Sequence, residues 1–374
     1  MTRQLGVAMI GHGFMGAAHS QAWRTAPRAF DLGAEPAMSV VVGRNADAAA
    51  AAARRWGWAD SGADWRSVLE RDDIHIVDIV TPGDSHAEIA IAALAAGKHV
   101  LCEKPLANSV AEAEAMAQAA ARAGTVVMTG FVFRRVPAAT LARDLVAQGA
   151  IGEVRQVRAS YLQDWLADER APFVWRLDRE LAGSGALGDI GAHAVDLSQF
   201  ITGMSIESVS GTLATLVPER PLPGGGTGTV TVDDLAIFTA RYDTGVLGVF
   251  EATRFATGRK NSLRIEVSGS TGAIAFDLED MNTLQVYDAT TPQAVRGFTR
   301  VNVTEPVHPY LEGWWPPGHA LGYEHGFSHQ VKDLVDAIVA GGQASPDFAS
   351  GLQVQRVLGA IEASAAAGSA WTRV

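Results

Sequence analysis

Six residues constrain this chain more than any others: Gly11-His12-Gly13-Phe14-Met15-Gly16, directly after the apolar run Leu5-Gly6-Val7-Ala8-Met9-Ile10. A G-x-G-x-x-G between a buried strand and a helix puts glycine where each position needs it. The first permits a tight turn, the second lets backbone N–H groups approach a pyrophosphate, and the third lets helix and strand pack closely. The helix start adds unpaired N–H donors and a partial positive charge facing the phosphates. With 39 glycines in 374 residues the hexapeptide alone would recur by chance, so its setting carries the reading. A strand-like run precedes it and Ala17–Trp23 reads as helix. A dinucleotide-binding unit is expected, with Gly11, His12, Gly13, Phe14, Met15 and Gly16 against the cofactor.

The pattern continues in the same style to about residue 130. Met38–Val42, Ile74–Val80, His99–Cys102 and Val126–Thr129 read as strands, alternating with helices at Asp47–Trp56, Ser85–Ala96 and Val110–Ala123. Alternating β and α with such apolar strands indicates a doubly wound parallel sheet covered on both faces. After Phe131 β character takes over. Helices at Leu141–Gln148 and Gly188–Ile201 are followed by strands at Ser208–Leu216, Thr229–Tyr242, Val246–Ala252, Ser262–Ser268, Ala273–Phe276 and Leu284–Tyr287. Pro218–Gly228 reads as an inserted surface loop, and helices near Tyr323–Ala340 and Gln353–Ala366 close the chain. The fold expected is a Rossmann domain at 1–130 and an α+β domain at 131–374 built on a large, mostly antiparallel open sheet. An open sheet face needs cover, so a homo-oligomer, a dimer or tetramer, is expected.

Composition removes several classes. Hydrophobic content of 48% and charged content of 19% are those of a globular protein. A net charge of -11 argues against nucleic acid or an anionic membrane as the main partner. Cys102 is the only cysteine, which excludes an internal disulfide and a thiolate metal cluster. His12, His19, His75, His86 and His99 are scattered, so no metal site is expected. No apolar stretch approaches the roughly 20 residues of a membrane helix, and no secretion leader is legible; a cytoplasmic protein is expected.

Four strand-end or turn features bear chemistry. The second strand runs into Gly43-Arg44 with no acid there; Gly43 makes room and Arg44 offers a planar fork to a 2′-phosphate, favouring NADP over NAD. Thr81-Pro82 follows the third strand, with Ser85 a candidate helix cap and His86 beside it. Glu103-Lys104-Pro105 ends the fourth strand; an ammonium there could stabilise negative charge developing on an oxygen, and Pro105 fixes the turn, a cis bond being one option. Gly183-Ser184-Gly185-Ala186-Leu187-Gly188 feeds a helix with Asp189 and His193 at i, i+4. Histidine suits general-base work near neutral pH, the aspartate can orient it, and the glycines let backbone approach a ligand. Tyr161, Trp165 and Trp175 suit stacking on a sugar face or burial in a core. The aromatic loop His308–His319 suits closure over substrate or contact with a neighbouring subunit.

Gly11–Gly16, Glu103-Lys104-Pro105 and Gly188-Asp189-x-x-x-His193, in this order and spacing, resemble the Gfo/Idh/MocA oxidoreductase family over essentially the whole chain. Tyr161-Leu162-Gln163-Asp164-Trp165, Trp175-Arg176 and the Gly183–Asp189 run are similar to its levoglucosan and inositol dehydrogenase branch. The resemblance implies Lys104, Asp189 and His193 as the catalytic group. It also implies cofactor contacts reaching Gly43, Arg44, Thr81, Pro82, His86, Glu103 and Lys104. Sugar or cyclitol contacts would come from Tyr161, Gln163, Trp165, Trp175, Arg176, Asp189 and His193. NAD-using members carry an acid where Gly43 stands, and Val132 stands where Asn is expected. The activity implied is NAD(P)-dependent oxidation of a sugar or cyclitol hydroxyl. A carbonyl, imine or dihydrodiol-type reductase of the same fold is the nearest alternative. A cofactor-binding regulator without turnover is more distant, because Lys104, Asp189 and His193 are all present.

Overall fold

The computed structural model describes residues 3–374, whose contacts gather into two units. The first runs to Arg135 and takes back Gly322–Gln353; the second comprises Val136–Leu321 and Val354–Val374.

In the first unit β1 (Arg3–Ile10), β2 (Ala34–Val42), β3 (Asp60–Gly62), β4 (Ile76–Ile79), β5 (His99–Cys102) and β6 (Val127–Thr129) form a parallel sheet in the order β3-β2-β1-β4-β5-β6. β1 pairs with β2 on one side and β4 on the other, so the strand order reverses at the end of β1. Ligands of such sheets bind outside the carboxyl ends at this reversal. The strands read as continuous apolar runs because both faces are covered: Val7, Ala8, Met9, Ile76, Val77 and Ile79 are wholly buried. Connecting helices are α1 (Phe14–Ala29), α2 (Ala46–Trp56), the single turn α3 (Arg66–Leu69), α4 (His86–Ala95) and α5 (Val110–Ala123). Their limits follow from local chemistry. Asn45 Oδ1 accepts the Ala48 N–H at 3.0 Å to start α2, and Gly57 ends it at φ 80°. Ser109 accepts from Glu112 N and donates back to its carboxylate to start α5. The edge strand β3, polar Asp60-Ser61-Gly62, gives no apolar signal and is not among the expected strands.

The later helix α9 (Tyr323–Ala340) packs on α1. The rings of His19 and Phe327 lie 5.4 Å apart, and those of Phe30 and His329 5.8 Å. Burial pushes the His329 pKa down to about 3, and the neutral ring donates from Nδ1 to Arg135 O at 2.8 Å.

The second unit holds α6 (Pro137–Ala147), β7 (Val154–Leu162), the short α7 (Arg179–Ala182), α8 (Ala192–Thr202), β8 (Ile206–Ala214), β9 (Glu219–Pro221), β10 (Thr227–Thr229), β11 (Leu235–Tyr242), β12 (Leu247–Thr253), β13 (Ser262–Gly269), β14 (Gly272–Asp277), β15 (Thr283–Asp288), β16 (Thr299–Asn302) and β17 (Thr372–Arg373). The unit boundary falls inside α10 (Phe348–Ala366). Nine strands make one sheet in the order β16-β15-β14-β13-β7-β12-β11-β8-β17, antiparallel except where β7 meets β12. One face is packed: Val157, Ala159, Phe238, Phe250 and Ile265 are buried, with the Phe238 and Phe250 rings stacked at 4.7 Å. Between them point the exposed Ile237, Leu247 and Val249 of the other face.

Two expected elements differ. The strand expected at Thr229–Tyr242 is two: β10 pairs with β9 in a separate ribbon, occupying the expected surface loop, and β11 begins at Leu235. Between them Val230–Asp234 leaves the ladder because Asp233 and Asp234 turn inward to accept backbone N–H groups. The helix expected from Gly188 opens with a π-turn, Leu187–Gly191, before α8.

Candidate functional site

The residues expected against the cofactor lie in the first unit. A Cβ on Gly11, at φ 116°, would sit 2.8 Å from Val80 O, and one on Gly16 3.0 Å from Gly11 O. Gly11 is therefore required by the chain itself, and Gly16 leaves little room for a side chain. Gly13 is different: a Cβ there meets no atom within 4 Å. Gly13 also starts α1 with no side-chain cap on the helix N–H groups. The arrangement fits a pyrophosphate, as the motif predicts. Phe14 is 69% exposed, its ring 6.4 Å from that of Tyr323 at an interplanar angle of 19°.

Gly43 does make room, but the room is filled by His12: a Cβ at residue 43 would lie 2.1 Å from the imidazole Cδ2. Arg44 is exposed beside it. Ser85, a candidate cap, does not cap α4; its Oγ lies 2.8 Å from Thr81 Oγ1 and 3.0 Å from Pro82 O, bracing that turn. His86 is only 1% exposed and braces the loops around it. Its Nε2 is 2.9 Å from Thr81 O and its Nδ1 3.1 Å from Pro105 O, tying the loop after β4 to the loop after β5.

Glu103 is also turned inward, at 4% exposure. Its Oε2 accepts the Lys104 N–H at 3.2 Å and its Oε1 lies 3.0 Å from His19 Nε2. The Lys104–Pro105 peptide is cis. His19 Nδ1 meets both Asp78 oxygens at 2.9 and 3.0 Å, and Trp23 Nε1 donates to Asp78 Oδ2 at 2.7 Å. Burial alone would lower the His19 pKa, but the charge and hydrogen bond of Asp78, joined by Glu103, raise it to about 10. His19 is thus an imidazolium clamped between two carboxylates, fixing α1 to β4 and to the strand end that carries Lys104. Sequence reasoning saw it only as one of several scattered histidines. The neighbouring Cys102 thiol is pushed well up by burial, which makes it inert.

The second unit gathers the expected substrate residues. Tyr161 OH donates to Asn261 Oδ1 at 2.6 Å, Gln163 Nε2 donates to the same oxygen at 3.0 Å, and Trp165 Nε1 donates to Gln163 Oε1 at 3.0 Å. The Tyr161 ring lies 6.0 Å from that of His193, which is 7% exposed on α8. Asp189, on the π-turn, has Oδ2 3.6 Å from Arg254 Nη1 and 3.9 Å from Arg176 Nε. The Arg176 guanidinium stands 4.4 Å over the Trp175 ring. Trp165 and Trp175 remain 41% and 37% exposed, so these rings line a surface and are not core. Arg254 and Asn261 were absent from the sequence reading. A lone arginine at a strand end and an asparagine in a turn give no signal until the sheet register brings them beside β7. Among the described residues no group of three or more His, Cys, Asp or Glu could hold a metal ion.

Residues 5–131 match the oxidoreductase family with an NAD-binding Rossmann fold, and residues 140–275 match the GFO/IDH/MocA C-terminal domain. The chain is 44% identical over 379 residues to levoglucosan dehydrogenase of Pseudarthrobacter phenanthrenivorans, covering 97% of each. It superposes on a crystal structure of an oxidoreductase domain protein from Kribbella flavida with TM-score 0.98 and 62% identity, covering 100% of both chains. A levoglucosan dehydrogenase in complex with NADH and levoglucosan matches with TM-score 0.96 and 44% identity, again over 100% of both.

Proposed function

The chain belongs to the GFO/IDH/MocA oxidoreductase family, and from that premise we propose that it oxidises a hydroxyl of levoglucosan or a similar anhydrosugar. The class of chemistry is NAD-dependent oxidation of a sugar or polyol CH–OH group. The observation that carries the narrower reading is the wall of the second unit, where His193 lies against Tyr161 and Asp189 faces Arg176 and Arg254, whose guanidinium groups stand over the exposed rings of Trp175 and Trp165.

NAD, when bound, supplies the hydride acceptor. Gly11, Gly13 and Gly16 with the start of α1 hold its pyrophosphate. The His193 imidazole takes the proton of the reacting hydroxyl. Asp189 accepts hydrogen bonds from sugar hydroxyls and keeps the substrate in register with His193. Lys104 donates to the oxygen on which charge develops. Trp165 and Trp175 offer their faces to sugar C–H groups, which excludes water from that side. Arg44, exposed after a strand end without an acid, is proposed to admit NADP as well as NAD. The open face of the nine-stranded sheet, with Ile237, Leu247 and Val249 exposed, is proposed to bury itself in a homo-oligomer.

With levoglucosan and NAD, His193→Ala should retain NADH binding and lower turnover by roughly 10²-fold or more. Turnover within a few-fold of the unmodified protein would overturn the role of His193. A parallel panel of polyols oxidised and carbonyl compounds reduced separates this reading from a reductase.

A further inference from the structure

The turn that presents Asp189 is seated by a residue far along the chain. Backbone N–H groups at the start of a helical run lack internal partners. Here three successive ones go to Asp233: Gly185 N donates to Oδ1 at 2.7 Å, Ala186 N to the main-chain O at 3.0 Å, and Leu187 N to Oδ2 at 2.8 Å. Gly185 is obligatory in this seat, since a Cβ would lie 1.7 Å from Asp233 O. Asp233 is 4% exposed, and its charge at a helix start is favourably placed.

Arg254 extends the seat to the carboxylate of Asp189. It is wholly buried; Nη2 donates to the same Asp233 carbonyl at 3.1 Å, while Nη1 stands 3.6 Å from Asp189 Oδ2. Its Cζ lies 5.4 Å from the centroid of the Trp165 ring. The burial of the Asp233 carboxylate is offset by two of these N–H donors, from Gly185 and Leu187. That of Arg254 is not, because Nε and Nη1 have no hydrogen-bond partner. A buried guanidinium held in that state costs stability, which points to a task besides folding.

We propose that Asp233 and Arg254 are positioning residues: Asp233 fixes the turn from which Asp189 and His193 project, and Arg254 fixes the Asp189 carboxylate relative to that turn. The inference rests on the reading that Asp189 and His193 act on the substrate.

The test uses the full chain with NAD and levoglucosan, measuring kcat, and NADH affinity by nucleotide fluorescence. Displacing a reacting group by about 1 Å costs on the order of 10²-fold in rate, so Arg254→Met should lower kcat by about 30-fold with NADH affinity unchanged. Arg254→Lys, which keeps the charge, should recover kcat to within about fivefold. In an Asp189→Asn background, Arg254→Met should change kcat by less than about threefold, since the two act as a unit. Equal losses in R254M and R254K that persist beside D189N mark a purely structural role and overturn the inference. If D189N and H193Q lower kcat while R254M does not, the inference falls and the catalytic reading stands. If D189N and H193Q leave kcat intact, that reading fails and takes the inference with it. Should R254M fail to fold, Asp233→Asn carries the test: kcat lowered with NADH affinity unchanged supports the inference, and kcat unchanged overturns it.

Discussion

Two glycine-rich turns in this chain lead into helices, and they treat the same physical problem in opposite ways. At Gly11–Gly16 the helix start is left open: Gly13 has nothing within 4 Å of where a Cβ would be. At Gly183–Gly191 the corresponding N–H groups are filled from within by Asp233. The open turn leaves backbone that fits an anion, and it is anchored one helical turn further on by the His19 clamp. The filled turn offers no backbone; it presents side chains, Asp189 and His193, from a rigid seat. A glycine run before a helix therefore does not identify a ligand site unless the partner of its N–H groups is known.

The contrast can be broken in four places. The largest effect is expected from Gly185→Ala, whose Cβ would meet Asp233 backbone at 1.7 Å. Overpacking that cannot relax costs about 3 kcal/mol or more, so the transition of the second unit should fall by roughly 10 °C in calorimetry. Next is His19. Its folded pKa of about 10 exceeds the ordinary 6.5, so its contribution is complete below pH 6.5 and is lost as pH rises through about 10. That contribution is on the order of a few kcal/mol at pH 7. The melting temperature should decline from pH 7 to 10, whereas His19→Gln should melt lower at pH 7 and lose this slope. An unchanged slope would remove the imidazolium assignment. Third, Gly13→Ala should leave the melting temperature unchanged yet weaken NADH by roughly 30-fold, about 2 kcal/mol, in a fluorescence titration. Equal loss of fold and affinity would mean that the open turn is filled after all. Smallest is Arg44→Ala, expected to lower the NADP-to-NAD ratio of kcat/KM by about fivefold, about 1 kcal/mol, with kcat on NAD unchanged.

What the residues announced and what they concealed divides along the same line. The open turn was legible because its chemistry is local: six contiguous residues, a strand before and a helix after. The strand end just before Lys104 was legible for the same reason, as the close of a short apolar run. The filled turn was half legible. Asp189 and His193 stand in one short run, but their seat lies 46 to 48 residues on, in a segment whose apolar alternation concealed two inward-turned acids. His19, Asp78 and Glu103 come from three elements and carry no periodicity. The inward course of Glu103 and His86 was hidden too, since strand-end position says that a loop lines the crevice but not which side chains it keeps for itself. The edge strand β3 was missed because its three residues are polar.

The return of Gly322–Gln353 to the first unit has a consequence for how the molecule is made. α1 keeps Trp23 and Ala26 buried, as is Phe30 just beyond its end, with α9 packed along it, and α9 is encoded after eight of the nine strands of the large sheet. During synthesis the dinucleotide-binding unit must wait, its α1 flank uncovered, while roughly 190 further residues leave the ribosome at about 5–20 per second, an interval of tens of seconds. Fragments cut at the obvious place, after β6, would keep that flank bare permanently. The nucleotide-binding half of this protein is first in sequence and among the last parts to be completed.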